Sequence, residues 1–478
     1  MNKVALVSIN AGRSDTKSHW PHYGLVLLAT VLRKSGFEAS VFDQSFLNEP
    51  DDRFLERVAG YSPDICGISL YTTHFGRSLD FVRRFHAKNI ACKIIAGGPH
   101  VALYAQTLQE EHPFFSAVVR GEAEQVIVDI CTKVLSGKDL GILRPAPVEG
   151  GLIPEADFRW GIGSSQMKWL PIQLSRGCPF NCSFCEVREI SSRKIRYRTI
   201  DRCLDEICHS LDAFKSVTTV RIVDDCPTLD RERFKSFLRR FIAQNLRVRI
   251  SIDNLRADTV DEELLDLLKQ CHIPYVCIAV ESGNPAVFEF VQKGETLGDI
   301  VAAGRLIRKK RLPLYLCFII GLPKSTFKAE MDSLQLAKTL RPDIMYWNMF
   351  LPHLGSPARE WFQQHGTIYK ETDSFSVPSY DLTFTQPACE TPEFTREERI
   401  RAYLRCVLET VSFIFSPPAL VRSFLLAGRY RLWKSFFVML GGIPGKCIVY
   451  ARIVGGNIFL VMVSRISSFF DKPRGTTV

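Results

Sequence analysis

Cys178, Cys182 and Cys185 lie in the stretch SRGCPFNCSFC (175–185), spaced C-x3-C-x2-C. Three thiols this close in sequence can converge on one centre from a single loop. Soft thiolates select an iron–sulfur cluster, zinc or copper(I). A cubane cluster usually takes four cysteines, so three would leave one iron open to a ligand. The same thiols completed by one distant ligand would hold zinc, and three unrelated buried cysteines would hold nothing.

The remaining candidates fall where apolar runs end. Residues 3–9, 38–44, 65–71, 91–100 and 117–124 read as strands, alternating with helical lengths such as 24–35 and 77–88. That rhythm predicts a parallel, doubly wound, flavodoxin-like sheet. Ligands of such sheets sit beyond the carboxyl ends of the strands. Those ends are Asn10 to Arg13, Asp43, Tyr71 to His74, Gly97 to His100 and Gly121-Glu122. The pair Gly97-Gly98 would let backbone approach a flat, bulky ligand. No G-x-G-x-x-G follows the first strand, which argues against a dinucleotide.

A second series of strands is expected at 217–226, 246–253, 275–283, 314–323 and 343–352, with helices at 199–213, 230–244, 259–270, 296–310 and 325–340. With the stretch leading into the cysteines they make six strand–helix units, a partial (β/α)6 TIM-type barrel. Polar residues at the carboxyl ends of barrel strands read as binding or catalytic. Here they are Asp224-Asp225, Asn254 to Arg256, Glu281-Ser282 and Asn348, with Gly321 and Pro323 shaping a turn. The basic run 193–198 reads as a solvated face rather than a shield for an anion.

These elements divide the α/β chain into a front domain (1–143), a Pro- and Gly-rich linker (144–170), a barrel core (171–372) and a mainly helical C-terminal region (373–478). In the last, Thr395 and Glu398 have capping-box spacing at the head of a helix, and Pro417-Pro418 breaks it. The stretch 419–442 mixes aromatics with Arg and Lys. The apolar run 455–464 is too short to span a bilayer. Peripheral membrane contact competes with packing across the open side of the barrel, and packing is favoured.

Composition sets the outer bounds. The 478 residues suit two or three domains. The net charge of +10 fits an acidic ligand or surface, but no motif with clustered aromatics supports nucleic-acid binding. The 15 cysteines are scattered and no secretory signal is evident, so a reducing, cytoplasmic setting is expected, with membrane association as an option.

The cysteine spacing, with Phe184 before the third Cys, resembles the signature of the radical S-adenosylmethionine (SAM) superfamily. The stretches 22–43, 95–100 and 118–124 resemble the cobalamin-binding domain that precedes this core in one large group of that superfamily. The resemblance implies a [4Fe–4S] cluster on Cys178, Cys182 and Cys185, with SAM on its open iron. It implies SAM contacts from Asp225, Arg256, Glu281 and Ser282: carboxylates for the sulfonium and ammonium, a cation for the carboxylate. It places Asn10, Asp43, Gly97, Gly98, Gly121 and Glu122 around cobalamin. The D-x-H-x-x-G motif whose His ligates cobalt is missing around His74, so no protein histidine is expected below the metal.

The implied activity is reductive cleavage of SAM to a 5′-deoxyadenosyl radical, fed by an external electron donor, followed by C-methylation of an unactivated carbon of a small-molecule or lipid substrate. Oxidation, cyclisation or ring rearrangement without methyl transfer is the alternative within the group. A methylthiotransferase would need a second cluster, and Cys66, Cys92 and Cys131 lie on separate elements. A non-catalytic cobalamin sensor with a structural cluster is the alternative outside enzymology.

Overall fold

The computed structural model describes residues 2–10, 18–253, 255–369 and 387–414. Arg13, Asn254 and the stretches 419–442 and 455–464 lie outside the described residues.

The front domain is one parallel sheet of six strands: β1 (Lys3–Ser8), β2 (Glu38–Asp43), β3 (Ile65–Ser69), β4 (Lys93–Gly97), β5 (Phe115–Val119) and β6 (Ile142–Leu143), in the order β2-β1-β3-β4-β5-β6. Five strands are expected from the sequence. The sixth has only two residues, too short to leave a pattern, and pairs Val118 with Ile142. The strands are buried on both faces, as a sheet between helix layers requires.

The core has six parallel strands in two groups. β7 (Trp169–Ile172) is followed by the short antiparallel pair β8 (Ser175–Arg176) and β9 (Arg196–Tyr197). Then come β10 (Thr219–Ile222), β11 (Arg249–Ile252), β12 (Val276–Glu281), β13 (Leu314–Ile320) and β14 (Ile344–Met349). The orders are β11-β10-β7 and β12-β13-β14. A single bridge, Leu255 to Ile278, joins the groups into the partial barrel. Side-chain caps start its helices: Thr199, Asp230, Asp261, Thr296 and Thr326 each accept a backbone N–H from the first turn. On β13, Leu314, Leu316, Phe318 and Ile320 are buried, while Tyr315, Cys317 and Ile319 alternate to the other, half-buried face.

The stretch 144–170 is packed rather than free. Val148, Ile153, Phe158 and Met167 are fully buried, and Gly161 bridges to Val41 of β2. One hydrophobic core runs from the helix Tyr23–Lys34 of the front domain through Phe158 and Met167 into β7 and β10. The two domains therefore pack as one body along this face. The helix Arg396–Ile414 carries the expected capping box: Thr395 N–H donates to Glu398 at 3.0 Å, and Glu398 N–H to Thr395 at 3.4 Å. It packs on β14 and on the helix Phe327–Leu340, where Arg399, 1% exposed, donates to the Gly321 carbonyl at 2.7 Å.

Candidate functional site

The cysteine loop is held by contacts that its sequence makes obligatory. Gly177 has φ +98°, and a Cβ there would lie 2.5 Å from the Lys194 carbonyl oxygen, so the turn into Cys178 requires glycine. Its N–H donates to Asp225 at 2.9 Å. Cys178 N–H donates to the Ser192 carbonyl, and Ser183 N–H to that of Val291. Phe180 lies under the Arg256 guanidinium, 3.6 Å from its ring centre. That guanidinium donates to the carbonyls of Lys293 at 2.6 Å and Gly294 at 3.1 Å. The loop thus lies over the carboxyl ends of β10, β11 and β12.

The three thiols differ in environment. A hydrogen bond from the Cys226 thiol draws Cys178 down to about 7, with help from Arg256. Burial pushes Cys182 up to about 11 and Cys185 to about 12. The thiols sense one another's charge, and Lys293 favours the thiolate of Cys182. Among the described residues no three His, Cys, Asp or Glu side chains, these cysteines included, are placed close enough together to hold a single metal ion. The donor set, three thiols backed by Arg256 and Lys293, suits an anionic thiolate cluster that brings its own inorganic framework.

The four residues assigned to SAM separate into three roles. Glu281 ends β12 in a left-handed conformation, φ +65°, unusual for a residue with a side chain. It is 7% exposed and stands 3.5 Å from the Lys293 ammonium, which also pairs with Glu295 at 2.9 Å. This buried carboxylate–ammonium pair beside Cys182 suits an amino-acid ligand with both charges. Asp225 and Arg256 hold the cysteine loop. Ser282 is turned towards Ser333, 3.4 Å between hydroxyls, and receives Asn284 N–H at 3.2 Å.

In the front domain a cavity of about 370 Å³ opens at the carboxyl ends of β1, β3, β4 and β5. Gly97, Gly98, Gly121 and Glu122 line it, with Gly67, Ser69, Tyr71 and His22. Across it, Gln173, Arg176, Ile190 and Ser191 from the barrel side complete the wall. Gly97 is open: the nearest atom to an added Cβ is 4.0 Å away. Gly98, φ +95°, is closed: a Cβ would lie 2.7 Å from Leu70 N. A flat ligand can therefore approach at Gly97 and Gly121, whereas Gly98 serves the strand–helix turn. Gly97→Leu is expected to fold normally and to lose most cobalamin binding, read as bound cofactor absorbance per chain. Gly98→Ala is expected instead to lower the thermal midpoint.

Asn10 and Asp43 are not among the residues that line this cavity. The Asn10 side chain accepts from Arg77 at 3.1 Å, and its N–H donates to Gln44 at 3.2 Å. Asp43 caps the short helix Gln44–Leu47 through Phe46 N–H, and burial pushes its carboxyl up to about 6. His74 does not line the cavity either. Its ring stacks on Tyr71 and accepts or donates at Thr73, 3.1 Å away.

The run 193–198 also departs from expectation. Arg196 and Arg198 are buried, 4% and 0% exposed, because strand alternation turns both inward. Arg198 pairs with Glu206 at 2.5 Å. Arg196 pairs with Glu122 at 2.6 Å, and Arg176 meets Glu122 at 3.0 Å and Glu124 at 2.8 Å. Glu122 is thus the clasp between front domain and cysteine loop as well as a wall of the cavity. Lys293, Cys226, Arg176 and His22 escape the sequence reading. Cys226 directly follows Asp224-Asp225, and His22 opens the stretch 22–43, so both had a positional signal.

Residues 172–337 match the model of the radical SAM superfamily, and residues 10–130 that of the B12 binding domain. The anaerobic magnesium-protoporphyrin IX monomethyl ester cyclase of Rubrivivax gelatinosus is 25% identical, over 89% of this chain and 84% of its own length. An uncharacterised methyltransferase of Pyrococcus horikoshii is 24% identical, over 84% and 89%. The radical SAM methyltransferase TsrM of Kitasatospora setae, solved with cobalamin and a [4Fe–4S] cluster, shares the fold with a TM-score of 0.64 at 16% identity, covering 87% of this chain and 90% of its own. The radical SAM domain implies the cluster and SAM, and the B12 domain implies cobalamin. No helix among the described residues is long and apolar enough to cross a membrane. A B12-binding domain clasped to a radical SAM core makes this chain a member of the cobalamin-dependent radical SAM enzyme family.

Proposed function

We propose that the protein transfers a methyl group to an unactivated carbon of a small-molecule or lipid substrate. The observation that carries this reading is the shared wall: Arg176, two residues before Cys178, lines the front-domain cavity opposite Gly97 and Gly121. A cofactor in that cavity lies next to the loop that would hold the cluster.

Cys178, Cys182 and Cys185 would hold the cluster, and Glu281 with Lys293 would receive the ammonium and carboxylate of SAM. Gly97 and Gly121 would admit the corrin. Bound there, the cluster and SAM supply a radical able to abstract hydrogen, and cobalamin supplies the methyl group. The chain's own task is placement and exclusion of water. Tyr315 and Cys317 of β13 and Tyr346 and Asn348 of β14 share the half-buried faces of adjacent strands, where a substrate would meet the radical. The electron comes from an external donor. The kinship with the uncharacterised methyltransferase of Pyrococcus horikoshii and the TsrM fold support methyl transfer, while the cyclase relative favours oxidation or cyclisation as the second reading.

The two readings differ in the fate of the SAM methyl group. Reconstituted protein given cobalamin, reductant and methyl-labelled SAM is expected to form S-adenosylhomocysteine in an amount set by the cobalamin added. Formation of 5′-deoxyadenosine with no S-adenosylhomocysteine would favour the cyclase-like reading instead.

A further inference from the structure

The cavity wall holds a polar cluster of His22, Ser69 and Tyr71. His22 caps the helix Tyr23–Lys34, its Nδ1 accepting Leu25 N–H at 3.2 Å. Burial lowers the ring's pKa to about 4, so it is neutral at pH 7. A neutral imidazole carries one proton. With Nδ1 accepting, that proton is on Nε2. Nε2 lies 2.8 Å from the Tyr71 hydroxyl and 3.3 Å from the Ser69 hydroxyl. The nearer oxygen, that of Tyr71, therefore accepts from His22, with Ser69 on the longer branch of the same N–H, which leaves the Tyr71 proton to be donated elsewhere. Among the described residues no acceptor is hydrogen-bonded to either. His22, Ser69 and Tyr71 all line the cavity.

We propose that His22 sets Tyr71 as a hydrogen-bond donor to bound cobalamin, with Ser69 as a second and weaker donor. The acceptor is an oxygen on the cofactor, either a carbonyl of a corrin amide side chain or a water on the metal's axis. Two features favour a cofactor oxygen over solvent. The two hydroxyls are fixed by one ring that is itself fixed by a helix terminus, so no rotation has to be frozen on binding. They also stand beside Gly97, the open approach described above. The ring's nitrogens are both engaged, so His22 acts through Tyr71 and is a positioning residue. The inference rests on the cavity being the cobalamin site.

The test is titration of the cluster-reconstituted protein with aquacobalamin, followed by visible absorbance and equilibrium dialysis. Tyr71→Phe is expected to weaken binding about tenfold, the size of one well-made hydrogen bond. His22→Asn keeps a helix-capping side chain and removes the donor to Tyr71. It is expected to weaken binding as well, and it decides the matter if Tyr71→Phe fails to fold. Weaker binding with a shifted visible band places the acceptor on the metal's axis; weaker binding with an unshifted band places it on a corrin amide. Unchanged affinity and spectrum in both folded variants overturn the proposal. A wild-type protein that binds no cobalamin overturns the cofactor reading, and this inference with it.

Discussion

Replacing Cys178, Cys182 and Cys185 together by alanine is expected to reduce bound iron from about four per reconstituted chain to background, with loss of the broad absorbance near the visible–ultraviolet border. Thiolates are the only soft ligands on the loop, and the neighbouring carboxylates are already engaged. Asp225 accepts Gly177 N–H, and Glu281 and Glu295 are paired with Lys293. Nothing on the loop can replace a missing sulfur. The fold should survive, because the loop's backbone anchors at Ser192, Val291 and Asp225 do not use the thiols. Iron and sulfide analysis beside circular dichroism checks both halves of this expectation. Retention of several irons per chain would move the ligand set elsewhere.

The second large effect is expected at Glu122. Its carboxylate accepts from Arg196 at 2.7 and 2.6 Å and from Val148 N–H at 2.7 Å, and it pairs with Arg176 at 3.0 Å. The side chains of Arg196 and Glu122 are 2% and 9% exposed. Removing one partner of a buried ion pair costs about 3–5 kcal/mol, because the other charge stays buried. Glu122→Ala should therefore lower the unfolding midpoint and raise hydrogen exchange through 174–198, the strands that carry the cysteine loop. Cobalamin retention should fall in parallel, since Glu122 and Arg176 both line the cavity proposed for it. A variant with unchanged exchange in that segment would show that the clasp is not what holds the loop.

The same pair gives a pH dependence of known sign. Burial alone would push the Glu122 carboxyl up, but the hydrogen bonds from Arg196 and the charge of Arg176 hold it below its ordinary value of 4.5. A depressed folded-state pKa adds stability that is full above that value and is lost as pH falls through the folded one. The clasp should thus hold at neutral pH and loosen below about pH 4.5, with Glu122→Gln abolishing that part of the acid response.

Much of this architecture is legible in the chain. The cysteine spacing, the alternation of strands and helices and the capping residues are local signals, readable because each acts within a few residues. Charge pairing is not local. Glu122 meets Arg176 and Arg196 across 54 and 74 positions, so the run 193–198 looks solvated until its strand is paired. Lys293 comes after the helix Pro285–Val291, an element whose seven residues are too few to show a period. Asn10 and Asp43 stand at strand ends as expected, yet their side chains are taken by Arg77 and by a helix terminus. A strand end names a neighbourhood, and the competition among neighbours decides which side chains are left for a ligand.

On this reading the loop at Cys178 to Cys185 turns SAM into a radical source beside the cavity proposed for cobalamin. The most direct measurement is 5′-deoxyadenosine formed per chain by anaerobically reconstituted, reduced protein with SAM, set against the triple cysteine-to-alanine variant. Several equivalents are expected from the wild type and none above background from the variant. A wild type that carries its full iron yet forms no 5′-deoxyadenosine, or a variant that forms as much as the wild type, would contradict it.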